Sequence, residues 1–248
     1  MKYINYVSTH KVWDTYSTIS PYSHFNVDGV SFDIETVLHN TDQQNIYTDC
    51  PIWTHKANRT FIVRSPVDIE FEYINDENDT CIKLSDKNYF RDPNLLFLET
   101  RGEKNWIGTG NPVLQLSVPT YLFWTKEKNI WIEISSYPYT SVKNNYVIIG
   151  GWWNLSKWTR PTSFGLQIVD TSKPVIIKRG DPIYQICFYS NDFNDSFKVI
   201  KQEEIPDNIM KKVSQTVHIK TIINNLSTKL LFSKQKESKC PFSFLFNK

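Results

Sequence analysis

A chain of 248 residues, 40% apolar and 22% charged with 8 Gly and 12 Pro, has the make-up of a folded globular protein and excludes the disordered and fibrous classes. Its 8 Trp, 13 Tyr and 15 Phe favour a pleated, half-buried surface, although such rings also suit sugar or base stacking. The net charge of +2 gives no indication of nucleic acid. Without a Gly/Ser-rich or Pro-rich linker, residues 1–248 read as a single mostly β domain, large enough to fold without a disulfide or a metal.

The chain opens Met1-Lys2-Tyr3-Ile4-Asn5, which lacks the apolar stretch of a secretory leader, and nowhere does it approach the roughly 18 consecutive apolar residues of a membrane span. The expectation is a cytoplasmic protein, in the host cytoplasm or the virion if the chain is viral, with no membrane contact. Sequons at Asn58, Asn78, Asn154, Asn194 and Asn225 then have no route to glycosylation. The histidines His10, His24, His39, His55 and His218 are scattered. A metal site built from His24, His39 and His55 with Asp42 is conceivable in a jelly-roll enzyme, but no His-x-Asp/Glu spacing supports it, so neither a metal nor a cofactor is assigned. Cys50, Cys81, Cys187 and Cys240 stand far apart and read as reduced thiols; Cys50-Pro51 and Cys240-Pro241 read as buried cysteines followed by a turn.

Strands are predicted from residue 60 onward. Thr60–Arg64 comes first, then Val67–Tyr73, whose strict alternation sets Val67, Ile69, Phe71 and Tyr73 on one face. The polar turn 75–79 joins that strand to Thr80–Leu84 as a hairpin. Further strands are predicted at Val113–Val118, Tyr121–Thr125, Ile130–Ser135, Tyr146–Gly150, Gly165–Asp170, Pro174–Lys178 and Ile183–Tyr189. Many short strands with turns between them point to a sandwich or barrel.

Between two of these strands lies the richest cluster, Gly150-Gly151-Trp152-Trp153-Asn154-Leu155-Ser156-Lys157-Trp158-Thr159-Arg160-Pro161. It reads as a sharp loop in which Trp152, Trp153, Trp158 and Arg160 crowd together, either as a ligand surface for a sugar or base or as a core or subunit contact. Beyond Pro206 the pattern turns helical. Asp207 is a fair N-cap, and Ile209, Val213, Val217, Ile222, Ile223, Leu226 and Leu230 predict one amphipathic helix over about 207–231, packed on the sheet. From Lys198 onward ten lysines meet only Glu203, Glu204, Asp207 and Glu237, an excess of +6 that leaves the rest at −4. That reads as a solvated lysine face, with phosphate or an acidic partner as the alternative, although the absence of arginine from the segment speaks against a bidentate phosphate site. The tail 240–246 is apolar and is expected to tuck back.

No phosphate loop, dinucleotide fingerprint, zinc-protease motif or nucleophile elbow occurs. Residues 146–190, with Gly165-Leu166-Gln167-Ile168-Val169-Asp170-Thr171-Ser172 and then Ile177-Lys178-Arg179-Gly180-Asp181-Pro182-Ile183-Tyr184-Gln185-Ile186-Cys187-Phe188, resemble the β-clip of dUTPases and dCTP deaminases. The resemblance implies a β-clip-like barrel or sandwich and, for Gln185, a ligand-binding role. That family's Pro-Arg-Ser-Gly phosphate segment, its catalytic aspartate and its glycine-rich closing motif have no counterparts here, so the nucleotide chemistry does not carry over with the fold. The chain as a whole is also similar to uncharacterised proteins of phages and their bacterial hosts, through Cys50-Pro51, Thr60–Asp68, the Trp-rich loop, Gly180-Asp181-Pro182 and Cys240-Pro241. That likeness brings no activity. The expected function is a non-enzymatic binding or assembly protein, forming a homo-oligomer or taking a nucleotide or protein ligand; a nucleotide-handling protein and a metal-dependent jelly-roll enzyme are the alternatives.

Overall fold

The computed structural model describes residues 1–11, 19–21, 34–36, 50–65, 67–75, 80–88, 97–99, 111–138 and 143–213. In chain order these form β1 (Lys2–Lys11), β2 (Ile19–Pro21), β3 (Ile34–Thr36), α1 (Pro51–Ala57), β4 (Thr60–Arg64), β5 (Ile69–Asn75), β6 (Thr80–Leu84), β7 (Phe97–Glu99) and β8 (Val113–Trp124). They continue with β9 (Trp131–Ser136), β10 (Tyr146–Ile149), β11 (Gly151–Asn154), β12 (Pro161–Ile168), β13 (Val175–Ile177), β14 (Pro182–Tyr189) and β15 (Phe197–Lys201), and close with a helical turn, α2, at 207–213.

The strands lie in three sheets, and among the described residues none closes into a barrel. The first has the order β10-β12-β8-β1-β15, with β2 on β1 and β7 on β8; the second is β11-β9-β14-β4-β3; the third is β13-β5-β6. Period-two alternation sends one side of each strand into a shared core. Tyr6, Tyr121, Phe123, Phe164 and Phe197 of the first sheet meet Phe61, Tyr184 and Phe188 of the second, with Phe164 against Tyr184 at 4.8 Å and Phe188 against Phe197 at 5.7 Å between centroids. Interdigitation of this kind is the packing of a β-sandwich. Val175, Ile177, Ile69 and Phe71 of the third sheet extend the same core.

Strand β8 is buried on both faces. Tyr121 and Phe123 point into the sandwich, while Leu122 and Trp124 join Val7 beneath Ile209 and Val213 of α2. The expected packing of a C-terminal helix on the sheet is therefore present over 207–213; residues 214–231 and the tail 240–246 lie outside the described residues. The cap differs from the expectation. Pro206 O accepts Met210 N at 3.0 Å, which makes Pro206 the N-cap and Asp207 the first helical residue, where its carboxylate faces the positive end of the helix dipole.

The expected hairpin β5–β6 forms, and its register runs from Phe71 opposite Leu84 to Asn75 opposite Thr80. At Gly180 φ is 88°, a conformation that glycine takes at no steric cost, and Asp181 Oδ2 accepts Lys178 N at 2.9 Å, closing the predicted Gly180-Asp181 turn. Other expectations are corrected. Val113–Val118 and Tyr121–Thr125 are one twelve-residue strand, because Pro119 falls where the β12 register jumps between Thr162 and Phe164. A bulge there leaves no ladder bond for Pro119 to break. Residues 151–154 are strand rather than loop. Cys50 is exposed rather than buried, with Pro51 as the first helical residue of α1, where a missing N–H costs nothing.

The loop between β12 and β13 gives a pH prediction. Asp170 accepts Ser172 N at 3.0 Å and Ser172 Oγ at 2.6 Å on Oδ1 and pairs through Oδ2 with Lys173 Nζ at 2.7 Å. Lys173 first, then Ser172, holds its carboxyl at about 2. A depressed folded value means that this turn's contribution is complete above the unfolded carboxylate value of about 4. It is lost as pH falls from there through about 2. A carboxyl ¹³C titration of Asp170 checks the expected midpoint, and Asp170→Asn is expected to remove this part of the acid response.

Candidate binding site

Alternation divides the Trp-rich segment between two faces. In β11, Trp153 lies opposite Ile132 and turns inward against the core, whereas Trp152 lies opposite Glu133 and turns outward, 61% exposed. Trp158 follows the inward branch, edge-on to Trp153 at 6.4 Å, and the Arg160 guanidinium lies over its ring at 5.0 Å. Gln185 is on the outward branch, where its Nε2 donates to Ser135 Oγ at 3.0 Å. The structure thus brings Trp152 and Gln185 to one face and Trp153, Trp158 and Arg160 to the other, where the sequence alone suggests one cluster.

The outward face carries residues that the sequence reading missed. Trp131 of β9 packs against Trp152 with centroids 4.9 Å apart and planes tilted by 42°. Across β9 on the other side, Tyr189 of β14 stands opposite Trp131, and Cys187 stands opposite Glu133. Glu133 is therefore framed by Trp152, Trp131 and Tyr189, and it accepts a short hydrogen bond from the Tyr189 hydroxyl. Burial, and then the neighbouring Cys187 and Glu133, push the Tyr189 phenol well above its ordinary range. It stays protonated and keeps donating to the carboxylate. Glu133 retains lone pairs for further donors, since a carboxylate offers about four acceptor positions. The signal available in the sequence is Trp131-Ile132-Glu133-Ile134, where alternation alone places an indole and a carboxylate side by side on the outer face.

Two corners position this face. Gly150 carries the chain from β10 in the first sheet to β11 in the second, passing so close to β9 that a Cβ there would lie 2.0 Å from the Ile134 carbonyl oxygen. At the other end, Leu155 N donates to Ile130 O at 2.8 Å, and Ser156 Oγ accepts Ile130 N at 2.9 Å and donates to Glu127 O at 2.7 Å. These bonds fix the β9–β11 pair and the Trp131–Trp152 contact with it.

Of the histidines considered for a metal, His55 bonds through Nε2 to Phe193 O at 2.7 Å; His24, His39 and Asp42 lie outside the described residues. Among the described residues no group of three or more His, Cys, Asp and Glu could hold a metal ion, and no helix is long and apolar enough to cross a membrane. No protein-family model and no curated protein matches the chain.

Proposed function

We propose that the chain is a non-enzymatic binding protein whose contact surface is the outer face of the β11-β9-β14 sheet, and that its ligand is a saccharide. The observation that carries this reading is Trp152, an exposed indole backed by a second indole and bordered by a carboxylate that already holds one hydroxyl. Sugar rings present C–H faces that lie flat on an indole, and their hydroxyls are the donors that Glu133 can still accept. The Gln185–Ser135 pair adds polar groups on the same face. A protein partner fits less well, because interface cores are depleted of charge and Glu133 sits at the middle of the rings. Holding Trp152 against Trp131 in the free protein lowers the ordering cost of binding.

The test is isothermal titration calorimetry against a panel of pyranose oligosaccharides, with tryptophan emission followed in parallel. At least one member is expected to bind. Trp152→Ala is expected to weaken it by about 2 kcal/mol, roughly thirtyfold, as loss of a central aromatic anchor does. Because Trp152 is exposed, the same variant is expected to unfold within about 1 kcal/mol of the parent. Absence of binding across the panel, or binding unchanged in Trp152→Ala, would count against the reading. A dimer that Trp152→Ala dissociates in sedimentation would instead assign the face to a second copy of the chain.

A further inference from the structure

The turn that leaves β11 holds a cation that no hydrogen bond or ion pair answers among the described residues. Asn154 sets this turn: its Oδ1 accepts Lys157 N at 3.1 Å and its carbonyl accepts Trp158 N at 2.9 Å. The turn presents the Trp158 ring, and Arg160 lies half-buried over it, 5.0 Å from guanidinium carbon to centroid. A guanidinium has five N–H donors and no acceptor. Among the described residues none of the five is used in a hydrogen bond or an ion pair. The ring attracts the charge but supplies no oxygen or nitrogen acceptor for these bonds. Glu127, the acid tied to this turn through Ser156, directs its carboxylate to Lys2 Nζ at 3.4 Å. Burial lowers the affinity of Arg160 for its proton, yet an arginine stays charged.

A second observation lies one ring further in. Trp153 Nε1–H is buried with no acceptor. The run Trp153–Trp158–Arg160 thus holds two donors without an acceptor among the described residues, the Trp153 indole N–H and the guanidinium, while buried polar groups in folded proteins are nearly always paired. What it lacks is an oxygen.

We infer that Arg160 anchors a site for an oxyanion, the carboxylate or phosphate of a ligand from outside the chain, with Trp158 holding the guanidinium in place so that its fork meets two oxygens at once. Lys157, exposed in the same turn, adds a second positive charge. The site is independent of the saccharide face, because Trp153 and Trp152 point to opposite sides of β11.

The experiment measures thermal unfolding and tryptophan emission with inorganic phosphate, a nucleoside triphosphate or succinate, each against chloride at equal ionic strength. At least one of the three is expected to raise the unfolding temperature above the chloride control and to change the emission. A response to phosphate or the triphosphate without succinate assigns a phosphate ligand; the reverse assigns a carboxylate. Arg160→Met is expected to abolish the response while unfolding, without anion, at the same or a higher temperature, since it removes an unanswered half-buried charge. Arg160→Lys keeps the charge but loses the fork, and is expected to bind at least about tenfold more weakly. Trp152→Ala is expected to leave the response intact. The inference is overturned if none of the three exceeds chloride or if the response survives Arg160→Met. It is also overturned if Arg160→Met unfolds well below the parent without anion, because the guanidinium would then be a packing element.

Discussion

Gly150→Ala is expected to lower the stability of the protein by about 4 kcal/mol, while Gly151→Ala, one residue on, changes it by less than about 1 kcal/mol. A Cβ at Gly150 meets Ile134 O at 2.0 Å, Ile134 C at 3.1 Å and Ser135 Cα at 3.3 Å, all backbone atoms of β9. None can rotate away as a side chain would. Relief requires moving β9, which is paired on one side to β11 and on the other to β14. At Gly151 nothing lies within 4 Å, so a methyl there costs no contact and slightly restricts the unfolded chain. For a chain of this size, about 4 kcal/mol corresponds to a fall of roughly 8–16 °C in melting temperature, read by calorimetry on the two variants side by side. The site should suffer with the fold: pushing β11 off β9 separates Trp152 from Trp131, so below its melting point Gly150→Ala is also expected to lose saccharide affinity. Equal melting temperatures for the two variants would show that the corner relaxes, and would weaken the claim that it fixes the indole pair.

This corner also explains what could and could not be read from the sequence. Alternation over residues 67–73 and 146–149 identifies strands because one face of each is buried, while the continuous apolar runs at 60–64 and 183–189 belong to strands buried on both faces, and burial is what the pattern records. Residues 151–154 have no such pattern: Gly151 and Trp152 are exposed, Trp153 is half-buried, and only Asn154 is fully enclosed. Two adjacent glycines and two adjacent indoles imitate a loop, and so the outward Trp152 and the inward Trp153 looked like one surface. The partners of Trp152 are out of reach for a different reason. Trp131, Glu133 and Tyr189 come from other strands, and their positions around it depend on registers that no local pattern states. The parallel pairing of β1 with β15, from Lys2 opposite Phe197 to Tyr6 opposite Lys201, is likewise invisible locally, since it joins segments nearly two hundred residues apart. The start of the C-terminal helix, residues 207–213, was legible because Ile209 and Val213 fall one turn apart and cover Leu122 and Trp124. The cap was misread because Asp207 has the better side chain while Pro206 has the carbonyl that the first turn uses.

Asn145→Ala is expected to cost about 3–5 kcal/mol, from two causes that further variants separate. Asn145 is buried, with φ at 65°, just before β10. Its Nδ2 group donates to Asp170 O at 2.8 Å, Lys173 O at 2.9 Å and Pro174 O at 3.3 Å, and its Oδ1 accepts Asp170 N at 2.8 Å. One side chain thus serves the backbone of the loop that carries the chain from β12 to β13. Alanine leaves those groups short of partners and also strains at positive φ, whereas Asn145→Gly removes only the bonds. Glycine is therefore expected to be the milder change, by about 1 kcal/mol. Asn145→Asp tests the electrostatics. A carboxylate at Nδ2 faces three carbonyl oxygens, which raises its folded proton affinity above the unfolded value of about 4. With the folded value raised, the folded state binds more protons than the unfolded one between the two values, so the stability of this variant rises as pH falls through that window. Asn145→Ala, with nothing to titrate there, has no such recovery. Denaturant unfolding of both variants at pH 7 and pH 5 reads the difference directly. An Asp variant that gains nothing relative to Ala at the lower pH would mean that the loop opens rather than holding the carboxyl against those carbonyls.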